Sequence, residues 1–159
     1  MMEFNEQAAG VYVIAVTPFR PNGEIDFDSI DRMVDFYLEA GATGLTVLGM
    51  MGEAQKLTLA ESSAVVQRVI KRVEGRVPVV AGVSAPGFAQ MQSLTNMVMM
   101  DGAAAVMVAP PSSLRTDDQI VSYYHHMSYF IGDVPCALQV LPRAMVMQVT
   151  VLQILSIVN

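Results

Sequence analysis

The residues whose types and spacing best suit chemistry are Gly49, Met50, Met51, Gly52 and Glu53, where the run Leu45-Thr46-Val47-Leu48 meets a turn bracketed by two glycines. Apolar and β-branched residues stopped by a glycine read as a buried parallel strand, and α/β folds bind ligands at the carboxyl ends of such strands. Gly49 and Gly52 let a small molecule approach the intervening amides, so the turn is a candidate cradle for a carboxylate. The same residues also suit a plain tight turn between strand and helix. Other reactive groups offer less. His125 and His126 are neighbours on a helical stretch, about 100° apart around its axis, and cannot share a metal as a pair four residues apart can. No metal and no cofactor is expected. Cys136 is the single cysteine, which excludes an internal disulfide, and its apolar strand predicts a buried, inert thiol.

Five βα units must position that turn. Strands are predicted near 11–16, 44–49, 77–82, 104–109 and 134–141 from apolar runs bounded by Gly, Pro and polar residues. The acidic stretch Asp26-Phe27-Asp28 caps a helix running to Ala40, with Ile30, Met33, Val34, Tyr37 and Leu38 on one face and Gly41 as its stop. Thr58 and Glu61 have the three-residue spacing of a capping box, and Val65, Val66, Val69, Ile70 and Val73 form the buried stripe behind it. A third helix carries Met91, Leu94, Met97 and Val98 and ends at Asp101-Gly102. Thr116 and Gln119 make another box before Ile120, Tyr124, Met127 and Phe130. A last helix is predicted over 148–158, apolar on most of its circumference, as a wide core face or a surface covered by another subunit.

Composition bounds the function. The chain has 159 residues, 53% of them hydrophobic and 15% charged, which fits one domain, 1–159, with a substantial core. A net charge of −6 argues against nucleic acid or an anionic membrane as partner. No apolar run reaches the length of a membrane span and no signal-peptide pattern opens the chain, so a cytoplasmic protein is expected. Thirteen methionines and no tryptophan hint at a sequence that has drifted from its relatives or been engineered.

Taken in order, Thr17-Pro18-Phe19, Gly41-Ala42-Thr43-Gly44-Leu45, the Gly49 to Glu53 turn, Arg76 to Val83 and Ala105 to Pro111 resemble the dihydrodipicolinate synthase and N-acetylneuraminate lyase family of Schiff-base aldolases. The resemblance runs from about Gly10 to the last residue and covers the front part of such an enzyme. It implies an α/β fold matching the first five units of a TIM (β/α)8 barrel, as a partial barrel or as a flavodoxin-like open sheet. It also implies pyruvate or another small keto acid as ligand, held as a Schiff base on a lysine of the sixth strand. A tyrosine on the fifth strand and two threonines in the glycine turn would handle protons.

Several of those positions depart from the family pattern. Met50 and Met51 stand where the threonines would be, and thioethers cannot donate or relay a proton. Gln139 holds the tyrosine position, with an amide that is no acid or base at neutral pH. Arg143 lies one residue from where the family often has a carboxylate-binding arginine. Glu53 is read as fixing the turn. The lysine would lie one unit beyond Gln139, and Lys56 and Lys71, the lysines present, belong to a turn and to the outer end of a helix. The expectation is an inactive fragment or engineered variant of a pyruvate-dependent lyase. The alternatives are a non-catalytic self-associating scaffold and a carboxylate-binding module. Five units cannot close an eight-stranded barrel, so a homo-oligomer is expected, with a dimer the simplest form.

Overall fold

A computed structural model describes residues 4–5 and 7–139. Five strands, β1 (Tyr12–Ile14), β2 (Gly44–Val47), β3 (Val79–Gly82), β4 (Ala105–Val108) and β5 (Cys136–Leu138), form one parallel sheet in the order β1-β2-β3-β4-β5. Tyr12 aligns with Gly44, Leu45 with Val79, Val80 with Ala105, and Val106 with Cys136. The sheet is open, and its sequential order is that of barrel units laid side by side. A flavodoxin-like sheet, with its 2-1-3-4-5 order, is excluded. Each strand is shorter than predicted; at the end of β2, for example, Leu48 lies past the last ladder partner and still packs into the core. The predicted last helix lies outside the described residues, as do Val140 and Leu141.

Helices α1 (Phe27–Glu39), α2 (Leu59–Val73), α3 (Phe88–Met100) and α4 (Asp117–Ile131) link successive strands. Asp26 accepts from the Ser29 N–H at 3.1 Å to start α1, and Gly41, at φ 84°, follows its end. Both capping boxes form. Thr58 and Glu61 exchange hydrogen bonds of 2.8 and 3.2 Å, and Thr116 and Gln119 exchange bonds of 3.2 and 3.3 Å. α3 starts at Gly87 with no side-chain cap.

The seams between helices differ. Arg68 grips Asp31 through Nε and Nη2, both at 2.7 Å, and one turn further on Arg72 grips Asp35 in the same two-pronged way. These pairs tie α2 to α1. Between α3 and α4 the contact is aromatic, with Phe88 stacked on Phe130 at 5.2 Å and against Tyr123 at 5.5 Å.

Strand alternation divides the sheet into two faces. Leu45, Val47, Val79, Ala81, Val106 and Val108 point outward into the main core beneath the helices, with Ile30, Val34, Val66, Val69, Val98 and Tyr124 opposite. Val80, Ala105 and Met107 point to the inner face, where Phe4, Tyr12, Ile14 and Ala137 pack against them. Phe4 meets Tyr12 edge to face at 5.6 Å, and Tyr12 lies over Gly44, where a Cβ would come within 2.3 Å of its ring. Among the described residues no helix is long and apolar enough to cross a membrane.

Candidate functional site

The carboxyl ends of the strands gather the residues that sequence reasoning singled out. Immediately after β2 the backbone leaves extended geometry at Leu48, which has φ 56° although it is buried and not glycine. That reversal carries the chain through Gly49 and the exposed pair Met50 and Met51 to the buried Gly52. The Gly52 N–H donates to the Gly49 carbonyl and the Glu53 N–H donates to the Met50 carbonyl, both at 3.1 Å. Among the described residues, the N–H groups of Met50 and Met51 donate to no backbone carbonyl. With the Gly49 N–H, which likewise has no backbone acceptor among the described residues, they are the turn's available donors.

Glu53 also takes a left-handed conformation, at φ 53° and ψ 33°, and opens the short 3₁₀ turn Ala54–Lys56. Its carboxylate accepts a hydrogen bond from the Lys56 ammonium, and its carbonyl accepts from the Lys56 N–H at 2.8 Å. Glu53 is thus bound up in the turn, and Lys56 with it. Lys71 is exposed on α2. Neither lysine stands on the inner end of a strand.

The turn is gripped from both sides. The Thr17 hydroxyl, just past β1, donates to the Gly52 carbonyl at 2.7 Å in a buried hydrogen bond. A Cβ on Gly52 would lie 3.2 Å from the Ala15 carbonyl oxygen, and one on Gly49 would lie 2.9 Å from Ile14 Cγ2. On the β3 side, a Cβ on Gly82 would fall 2.2 Å from the Leu48 carbonyl oxygen. Only glycine permits that approach. Further round, the Ala109 N–H donates to Ser84 Oγ at 2.9 Å, and the Gln139 N–H donates to the Val108 carbonyl at 2.9 Å. Gln139 continues the β5 ladder, and alternation from Ala137 puts it on the inner face. The structure thus brings Gly49 to Glu53 and Gln139 to the same end of the sheet, whereas Arg143 lies outside the described residues.

Thr17, Leu48, Gly82 and Ser84 were missed as site residues in the sequence. A threonine or serine just past an apolar strand is the available signal for Thr17 and Ser84. Nothing in a leucine marks Leu48 for a left-handed conformation.

Burial perturbs three groups on α4 and β5. Burial pushes the Cys136 thiol up to about 11, so it is protonated at neutral pH and a poor nucleophile. Burial, with Cys136 beside it, pushes Tyr123 up to about 12, and burial raises Tyr124 further. The hydroxyls of Tyr123 and Tyr124 lie on the helix side of the sheet with no hydrogen-bond partner among the described residues. His126 Nδ1 lies 2.6 Å from the Ser122 carbonyl oxygen and its ring stacks on Phe88. Among the described residues no three His, Cys, Asp or Glu side chains lie together as a metal site. The arrangement offers backbone amides to an anion, with hydroxyl and carboxamide groups around them.

Comparison with known proteins bears on this geometry. The model of the dihydrodipicolinate synthetase family matches residues 7–159. The 4-hydroxy-tetrahydrodipicolinate synthase of Pseudomonas aeruginosa is 33% identical over 121 residues, covering 76% of this chain and 41% of that protein. A crystal structure of dihydrodipicolinate synthase from Rhodopseudomonas palustris superimposes with a TM-score of 0.84 at 52% identity, over 89% of this chain and 47% of the other. The chloride-inhibited dihydrodipicolinate synthase of Acinetobacter baumannii, complexed with pyruvate, matches with a TM-score of 0.77 at 26% identity, over 84% of this chain and 46% of that one. The chain thus spans about half the length of the relatives it matches.

Proposed function

The chain belongs to the dihydrodipicolinate synthetase family, and from that premise we propose that its Gly49 to Glu53 turn binds the carboxylate of pyruvate or a similar small keto acid. The reaction class is that of a pyruvate-dependent carbon–carbon lyase or synthase. The observation that carries this reading is the pair of uncommitted amides at Met50 and Met51, at the carboxyl end of a parallel strand. Backbone donors bind a carboxylate whatever side chains follow them, so replacing threonines by methionines removes proton relay and leaves binding. Gln139 presents an amide to the same end and serves as a hydrogen-bonding group in place of an acid or base. Arg143 is a second carboxylate ligand in this reading.

Residues 1–159 on their own bind without turning over. Lys56 is held by Glu53 and Lys71 sits on the outer surface of α2, so neither supplies the amine that a Schiff base needs. Pyruvate titration followed by NMR tests binding. The amide signals of Met50 and Met51 should move, and unmoved signals at millimolar pyruvate would discard the reading. Borohydride reduction with pyruvate followed by mass measurement tests turnover, and a folding-dependent pyruvyl adduct on Lys56 or Lys71 would contradict it.

The same stretch is proposed to self-associate, most simply as a dimer. Among the described residues β1 and β5 each have one neighbour in the sheet, and unpaired strand edges favour association. Light scattering at micromolar concentration distinguishes dimer from monomer. A cytoplasmic setting is proposed on composition.

A further inference from the structure

We propose that Thr17 is a positioning residue for the turn, its hydroxyl fixing through the Gly52 carbonyl the direction in which the Met50 and Met51 amides point. This rests on the carboxylate-binding reading above and goes beyond it, because Thr17 lies on a different strand and offers the ligand nothing directly.

The peptide units between Gly49 and Glu53 are short of internal restraints. Two backbone bonds of 3.1 Å close the turn, and two of its residues are glycines with broad conformational freedom. Met50 and Met51 are 75% and 60% exposed, so their side chains anchor nothing. The orientation of the free amides must be imposed from outside. Two contacts do this. Gly82 lets β3 press against the Leu48 carbonyl at the turn's entry, and Thr17 holds the Gly52 carbonyl at its exit.

The Thr17 contact is the directional one. At 2.7 Å it is a short hydroxyl-to-carbonyl bond, and Thr17 is 6% exposed, so water does not readily replace the hydroxyl. A rotation of the Gly52 peptide plane that would swing the preceding amides breaks this bond and strands the carbonyl in a buried place. The residues span 35 positions of sequence, so the bond also couples the end of β1 to the loop after β2.

The test compares the 159-residue chain with Thr17→Val, which keeps the shape and removes the hydroxyl, with Thr17→Ser, which restores it, and with Thr17→Ala in case valine prevents folding. Two quantities are read for each: amide hydrogen exchange across the chain, and pyruvate affinity by NMR. Loss of one buried hydrogen bond should speed exchange of the Gly52 and Glu53 amides about tenfold, with α2 and β3 unchanged, and weaken pyruvate by a similar factor. Thr17→Ser should return both to within about threefold. Exchange that rises equally everywhere would make Thr17 a stability residue and overturn the proposal. Pyruvate affinity that is measurable and indifferent to valine would overturn it too. Were the parent chain to bind no pyruvate, the carboxylate reading fails by itself, and local exchange at Gly52 and Glu53 still decides for or against Thr17.

Discussion

On the outer face of the sheet Leu45, Val79 and Val106 meet the helices and are sealed from solvent, while on the inner face Val80, Ala105 and Met107 are the buried apolar residues among those described. The outer face is continuous from α1 to α4 and uses branched side chains that interlock. The inner face alternates small residues, Gly44, Gly82 and Ala105, with a few large ones, and it borders the Gly49 to Glu53 turn. The main core and the proposed carboxylate site therefore lie on opposite sides of the same strands. Substitutions one residue apart should separate them.

The largest effect should come from cutting the outer core. Leu45→Ala, at a fully buried position, is expected to cost about 2–5 kcal/mol in urea denaturation, with pyruvate affinity intact wherever the fold persists. Met107→Ala on the inner face, 8% exposed and less tightly surrounded, should cost no more than the low end, about 2 kcal/mol. Equal losses would break the comparison. Next comes Gly82→Ala, whose methyl group meets a backbone oxygen that cannot step aside. A cost of about 1–3 kcal/mol is expected, with NMR shift changes concentrated between Leu48 and Gly52. Changes confined to β4 would show that the Gly82 approach does not shape the turn.

An alkaline titration sharpens the picture at β5. Cys136 and Tyr123 have folded values of about 11 and about 12, above their ordinary 9.0 and 10.0. Their contribution is therefore fully present below about pH 9 and is lost as pH rises through the folded values, because the unfolded chain ionises first. The urea midpoint should decline between pH 9 and 11, and Cys136→Ala should flatten the first part of that decline. A midpoint independent of pH over this range would refute it. The smallest effect belongs to the exposed ladder between α1 and α2. Hydrogen bonding from Arg72 holds Asp35 below its ordinary 3.8, so this contribution stands above that pH and is lost as pH falls further. Arg72→Ala should lower the thermal midpoint slightly in dilute buffer and hardly at all in about 1 M salt.

What could be read from the sequence was what is local. The capping boxes at Thr58 and Thr116 need residues three apart, and the stripe Val65, Val66, Val69, Val73 needs one helix. The order of the units followed from the alternation of such patterns. The ends of strands were overstated, as at Leu48, which is apolar because it is buried although it lies past the β2 ladder. The glycine turn was visible as a composition, but its support was not. Thr17 reaches Gly52 across 35 residues and Gly82 reaches Leu48 from another strand, contacts that no periodicity encodes. Arg68 and Arg72 likewise find Asp31 and Asp35 at a separation of 37 residues.

The sequential strand order has a consequence for how the protein is made. Each strand pairs with the one synthesised just before it, so the sheet can grow in the direction of translation without waiting for distant chain. The Gly49 to Glu53 turn then completes its supports at a definite point of synthesis. Thr17 and the turn itself emerge early, but Leu48 meets its second support only when Gly82 has left the ribosome and joined β2. A nascent chain halted before β3 would carry every residue of the turn and lack the Gly82 contact at Leu48. One stopped after β4, with Met107 holding Val83 in register, would carry both.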